Sequence, residues 1–192
     1  MSIYSEIVAG VVAWTNRPEA TAEIDLAIRQ AVRAAHNSGK FFKDLNTLSV
    51  TGLTTSQIQT IDLASSAPLY RRLATVKPTG YDVEYKETDI LNLFDNDRFP
   101  RTDVYWLVGN TLTIRAAAAV PDITVTYYKN PTTSPISSLD SWIGNEYQDL
   151  IICWAAATIL NLVGEQEIKV RAEAIAAVGL RDLLANNLTV SN

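Results

Sequence analysis

The sequence predicts an α+β protein in which a β-rich segment is inserted into a helical bundle. Apolar residues recur at helical spacing over residues 1–45, the spacing changes to two over residues 46–130, and the helical period returns over residues 136–187. The chain of 192 residues is 47% hydrophobic and 19% charged, which is enough apolar material for a packed core. We therefore expect a bundle of the two outer segments, an inserted β-rich domain, and a C-terminal tail at residues 188–192.

The first segment is predicted to be an N-terminal helical hairpin. Its first helix carries apolar residues from Ile3 to Val12 and stops at Asn16, because Thr and Asn are poor helix formers. Pro18 suits the first turn of the second helix, where its missing N–H costs nothing. That helix is expected to end at Asn37, before Gly39.

Short strands are predicted for the middle segment. The clearest are residues 104–108 and 111–115, because the Gly109–Asn110 pair between them suits a two-residue hairpin turn. A third strand at residues 123–128 alternates apolar and polar residues, and it would extend the hairpin into a small antiparallel meander. A short helix is expected at residues 88–95.

Two C-terminal helices are predicted to complete the bundle. Ser138 or Asp140 can cap a long helix that Gly164 ends, and a last helix then runs to Asn187 with its apolar side formed by Ile168, Ala172, Ile175 and Leu183. The long helix is apolar nearly all round, so it must be covered on more than one face. A chain of this length supplies only part of that cover, which favours self-association.

Composition excludes several classes of protein. A formal net charge of −5 and a pI near 4.9 argue against tight binding to phosphate backbones. The single cysteine, Cys153, lies in an apolar run and is expected to be a small buried hydrophobe. The N-terminus lacks a basic signal region, and the longest nearly apolar stretch, residues 150–163, is too short for a membrane span. We expect a soluble protein made in the cytoplasm.

The sequence lacks the residue combinations that are common in enzyme active sites. His36 is the only histidine, so a histidine metal cluster or a catalytic triad would depend wholly on it, and its place near a helix end favours a structural role. Residues 95–97 resemble a calcium loop but lack its glycine and terminal glutamate, and no Gly-rich phosphate loop occurs. We expect no catalytic residue, no metal and no cofactor.

The order of these elements resembles the head-tail adaptor (connector) proteins of tailed bacteriophages. The resemblance lies in a tyrosine-led strand, a Gly-Asn turn and an apolar strand, then an aromatic pair, and finally an Ala-rich helix followed by a Gly-Glu pair. These features occupy residues 105–114, 125–131, 154–157 and 164–165, with residues 136–140 also similar.

The resemblance implies a mechanical function in the virion. A homo-oligomeric ring, of twelve copies in that family, would bind the portal protein and dock the tail nozzle or tail tube protein while double-stranded DNA passes through without specific binding. Twelve copies at −5 each would carry a formal charge of about −60, and an acidic lumen would repel the DNA it conducts. Candidates for the lumen are Asp89, Asp95, Asp97 and Asp103.

Interface residues are predicted from aromatic anchors and from the tail. Trp14, Trp142 and Tyr147 lie at helix edges, and Trp and Tyr are enriched where proteins bind each other most tightly. Leu188 and Val190 alternate with polar residues, so the tail is expected to add an extended arm to a partner.

Two other functions remain open from the residues. One is a different virion component, such as a tail-completion or baseplate subunit. The other is a cytosolic α+β ligand-binding protein, in which the sheet would line a pocket for a small molecule.

Overall fold

The computed structural model forms two compact units, one of residues 1–44 and 130–192 and the other of residues 45–129. The class is α+β, as the sequence predicts. The residues that the structure describes are 2–51, 56–89, 102–117, 119 and 122–187.

Helices dominate the first unit. The α-helices of the described residues are, in chain order, α1 (Ile3–Thr15), α2 (Thr21–Asn37), α3 (Leu63–Ser66), α4 (Trp142–Glu146), α5 (Gln148–Val163) and α6 (Gln166–Asn187). Among them, α3 alone lies in the second unit, and the other five lie in the first.

The ends of α1 and α5 follow the predicted positions. Asn16 takes the left-handed conformation with φ +51°, and its N–H donates to the Val12 carbonyl at 2.7 Å. Gly164 ends α5 with φ +82°. Both ends are set by residues that tolerate positive φ.

The centre of the helical unit is α5, which packs against α1, α2 and α6. Its buried residues lie on several sides of the helix, from Leu150 and Ile151 to Ile159 and Leu160. The α5–α6 crossing is tight, because a Cβ added at Gly179 would lie 3.1 Å from the Leu150 Cβ.

The long C-terminal helix predicted from Ser138 or Asp140 is two helices in the structure. Tyr147, with φ −127° and ψ 48°, separates α4 from α5. The cap of α4 is Ser141, whose Oγ accepts from the Gly144 N–H at 3.0 Å.

The predicted position of Pro18 is wrong, since Pro18 lies in the turn before α2 rather than in the first turn of that helix.

The second unit contains two sheets. Its strands are β1 (Leu45–Val50), β2 (Ile58–Asp62), β3 (Tyr70–Pro78), β4 (Lys86–Glu87), β5 (Val104–Val108), β6 (Thr111–Arg115) and β7 (Ile123–Lys129). One sheet has the order β1-β7-β3 and the other the order β2-β6-β5-β4. The predicted β5–β6 hairpin is confirmed, with Val108 opposite Thr111 across the Gly109–Asn110 turn.

The third predicted strand, β7, does not extend that hairpin. It lies in the other sheet, antiparallel to β1 on one side and to β3 on the other. Its alternate residues Ile123, Val125 and Tyr127 are buried. A strand with partners on both sides satisfies both rows of its backbone groups, which a place at the hairpin edge would not.

Several predictions fall outside the described residues. These are Asp95, Asp97, Leu188, Val190 and most of the helix predicted at residues 88–95. In the part of the chain that the structure describes, no helix has both the length and the apolar character that a membrane crossing requires.

Candidate functional site

A buried polar cluster joins three parts of the helical unit. His36, in the last turn of α2, contacts the Asp44 Oδ1 through Nδ1 at 2.8 Å and the Ser141 Oγ through Nε2 at 2.9 Å. Trp142 Nε1 donates to the same Asp44 oxygen at 2.8 Å. His36, Asp44 and Ser141 are each at most 5% exposed, so the cluster is shielded from water.

The hydrogen bonds of the cluster are mutually consistent. A carboxylate only accepts hydrogen bonds, so the Nδ1–H of His36 and the Nε1–H of Trp142 both donate to Asp44. Nε2 of His36 shares a hydrogen bond with the Ser141 hydroxyl, and the Ser141 oxygen also accepts from the Gly144 N–H. These polar side chains can be buried at little cost because each of them has a hydrogen-bond partner within the protein.

This chain of contacts has the order of a Ser-His-Asp relay, but its surroundings differ from those of a catalytic site. Ser141 is 2% exposed, and its oxygen is occupied as the cap of α4. A substrate carbonyl must reach the nucleophile, and Ser141 is buried in this conformation. In this conformation the cluster ties α2 to α4.

Trp142 and Tyr147, two of the predicted interface aromatics, pack inside the helical unit. The Trp142 ring makes edge contacts with His36 at 5.9 Å, Phe41 at 5.5 Å and Tyr147 at 6.3 Å. The Tyr147 hydroxyl accepts from Asn187 Nδ2 at 2.6 Å. Their role at an interface stays a prediction.

Trp14, the third predicted aromatic, is half-buried near the end of α1. The Arg171 guanidinium carbon lies 5.9 Å from the centre of its ring. Such stacking holds an arginine side chain in place while its charge remains in water.

A groove of about 500 Å³ runs between α5 and α6 beside this arginine. Its apolar part includes Leu150, Ile175, Val178 and Gly179. Val178 is 49% exposed and Ile175 is 38% exposed, so the groove presents large apolar side chains to solvent. Exposed apolar side chains gathered in one depression are a candidate contact surface for another molecule.

Charges occupy the two ends of the groove. Asp149 and Asp182 lie at the end where Gly179 contacts Leu150, and Arg171 lies eight residues earlier on α6, about 12 Å away at 1.5 Å per residue. The groove is therefore acidic at one end, apolar in the middle and basic at the other end.

Further apolar side chains are exposed around the α5–α6 turn and along α6. They are Leu162 (71%), Val163, Ile168 and Val170 (61%).

Of the four residues predicted for the apolar side of α6, two face inward and two are exposed. Ala172 and Leu183 are buried as expected, but Ile168 and Ile175 are exposed. The groove residues Arg171, Ile175, Val178 and Asp182 recur at spacings of four, three and four. That second helical stripe was the feature of the sequence that could have revealed them.

The two described lumen candidates, Asp89 and Asp103, are exposed on the second unit. Asp103 Oδ1 accepts from the Ala117 N–H at 3.1 Å. Burial, then the nearby Glu87 and Glu84, raise the pKa of Tyr105 to about 12. Acidic side chains therefore gather on this part of the β unit, while their place in a lumen stays a prediction.

Within the described ranges, no three His, Cys, Asp or Glu side chains lie close enough together to hold a metal ion. Cys153 is buried in α5, and burial, followed by the charge of Asp149, raises the pKa of its thiol.

No known family model matches this chain, and a search of curated proteins finds no match.

Proposed function

We propose that this protein is a head-to-tail adaptor of a tailed bacteriophage, a virion subunit that forms a ring on the portal protein and docks the tail. The order of its elements resembles that family, from the first helix to about Asn187. DNA would pass through the ring without specific binding.

The observation that carries the proposal is the exposed apolar surface of α5 and α6. Val170 and Leu162 are more than half exposed, and the groove lined by α6 and the start of α5 exposes Ile175 and Val178. Apolar surface costs about 25 cal/mol per Å² in water, so covering it with another protein surface is favourable. A subunit that works by packing against copies of itself would carry such a surface.

The charge of the chain supports the same proposal. A net charge of −5 keeps separate copies from clumping through unspecific contacts, and it gives an assembled ring a strongly acidic character. Exposed carboxylates such as Glu84, Glu87 and Asp103 on the β unit would repel passing phosphates. A channel that bound DNA tightly would hold the genome back.

Electron microscopy of the protein with and without the portal protein tests this function. We expect rings of the protein stacked on portal particles, and co-sedimentation of the two proteins in a fixed ratio. Deleting residues 188–192 tests whether the tail contributes to portal binding. We expect the shortened protein to bind portal more weakly.

Two results would contradict the proposal. Rings that form without binding portal would point to another tail-completion or baseplate subunit. A protein that stays monomeric with portal present, and whose melting temperature rises with a small molecule, would point to the ligand-binding alternative.

A further inference from the structure

The exposed face of α2 has a charge pattern that complements the groove. Leu26 is 56% exposed at its centre, with Glu23 exposed three residues before it and Arg33 exposed seven residues after it. At these spacings the three side chains lie on one side of the helix. The face is therefore acidic at its N-terminal end, apolar at Leu26, polar at the exposed Gln30 and basic at its C-terminal end.

The groove has the opposite order along α6. Arg171 comes first, Ile175 and Val178 follow, and Asp182 comes last with Asp149 beside it. The charged ends are also separated by similar lengths, because ten residues from Glu23 to Arg33 span about 15 Å and eleven from Arg171 to Asp182 span about 16 Å.

We propose that α2 of a second copy of this chain lies in the groove, parallel to α6. This inference rests on the proposed function, in that the adaptor needs a contact between neighbouring copies. Glu23 of one copy would then lie near Arg171 of the next, and Arg33 near Asp182. Leu26 would enter the apolar stretch beside Ile175.

The charges also select the direction of packing. In the antiparallel direction Glu23 would meet Asp182 and Asp149, and Arg33 would meet Arg171. Like charges brought together at an interface are strongly unfavourable, so only the parallel direction is complementary.

Both basic groups are already held in place in the single chain. The Arg33 Nη2 donates to Thr133 Oγ1 at 3.1 Å, and Arg171 stacks on Trp14. A side chain that is held before binding loses less conformational freedom on binding. The two charges are therefore prepared for a partner while remaining exposed.

The contact is head-to-tail, because it joins two different surfaces of the same unit. Such a contact leaves a free groove at one end and a free α2 face at the other, so copies keep adding, and they form a ring when the rotation from copy to copy closes on itself. The proposed contact thus accounts for a ring rather than for an isolated dimer.

Charge exchange at one pair of residues tests the contact. We expect Glu23→Arg and Arg171→Glu each to weaken self-association about tenfold, on portal particles and in the free protein at high concentration. The variant with both changes should return to within about threefold of the wild type. Glu173→Arg makes the charge change of Glu23→Arg on α6 outside the groove and should leave association unchanged.

Disulfide trapping gives a second, independent readout. A chain with Leu26→Cys and Ile175→Cys should form a ladder of linked oligomers on oxidation, since every copy offers both partners. Each single variant should give no ladder, and the buried Cys153 is common to all three proteins. Circular dichroism checks that every variant is folded.

The outcomes separate this inference from the proposed function. Rings on portal that give no ladder and ignore the charge changes would overturn the inference and leave the adaptor function standing. A ladder with charge rescue but no portal binding would support the contact and contradict the adaptor function. A wild-type protein that never self-associates would overturn both.

Discussion

At the scale of single residues, the buried cluster links parts of the chain that are far apart in sequence. His36 and Ser141 are 105 positions apart, yet they share a hydrogen bond of 2.9 Å. Asp44 accepts hydrogen bonds from both His36 and Trp142, so one carboxylate connects the end of α2 to the start of α4. The sequence gives no sign of this arrangement, because nothing local connects a histidine with a serine so distant.

Replacing Ser141 by alanine should destabilise the protein. The change removes the cap of α4 and the hydrogen bond between Ser141 and the buried His36, which together should lower the free energy of unfolding by about 1–3 kcal/mol. Urea unfolding followed by tryptophan fluorescence measures this. Ser138→Ala is the matched control, because Ser138 is exposed and should change stability little. Equal stability of the two variants would contradict the role assigned to Ser141.

At the scale of elements, α5 is covered by α1, α2 and α6, whereas α6 covers α5 with one side and exposes the other. The close crossing at Gly179 brings α6 near enough for Ala172, Ala176 and Leu183 to be buried. The position of the groove thus depends on a residue without a side chain.

A larger residue at Gly179 should push α6 away from α5. Because even a Cβ there would lie 3.1 Å from the Leu150 Cβ, Gly179→Val should lower the free energy of unfolding by about 1–3 kcal/mol. Ala177→Val, which is exposed on α6, should cost only about 0.5 kcal/mol through helix propensity. Thermal and urea unfolding compare the two. A Gly179→Val protein as stable as the Ala177→Val control would show that the crossing tolerates a side chain.

Elements determined by local chemistry could be predicted, and elements determined by distant partners could not. Asn16, Gly164 and the Gly109–Asn110 turn act through their own backbone preferences, so the helix ends and the hairpin follow from the sequence. The break at Tyr147 and the sheet that β7 joins depend on contacts across the fold, which periodicity does not contain.

The same distinction applies to the candidate site. The long apolar helix was expected to lack part of its cover, but α1, α2 and α6 supply most of it, and among its large apolar side chains only Leu162 and Val163 at the end of α5 stay exposed. The groove was missed because the inward side of α6 is formed largely by small residues, such as Ala172 and Ala176, while larger Ile175 and Val178 face outward. Size alone therefore favoured Ile168 and Ile175 as inward-facing residues, and both are exposed.

At the scale of the whole molecule, the helical unit presents a groove and a complementary α2 face, and the β unit presents exposed carboxylates. An apolar surface favours assembly, whereas a net charge of −5 per copy opposes close approach. Salt screens this repulsion and also weakens the proposed end-to-end ion pairs, so the apolar centre of the groove should dominate at high ionic strength.

The most direct measurement of the central claim is the mass of the assembly formed by the wild type and by Val178→Glu. Sedimentation equilibrium should give wild-type masses at multiples of 21.1 kDa for the protein alone, and a portal mass increased by multiples of 21.1 kDa when portal protein is present. A charge in the middle of the groove should keep Val178→Glu monomeric, while Ala177→Glu, exposed elsewhere on α6, assembles as the wild type does. A wild type that remains at 21.1 kDa under every condition, or a Val178→Glu protein that assembles normally, would contradict the claim that a neighbouring copy covers this surface.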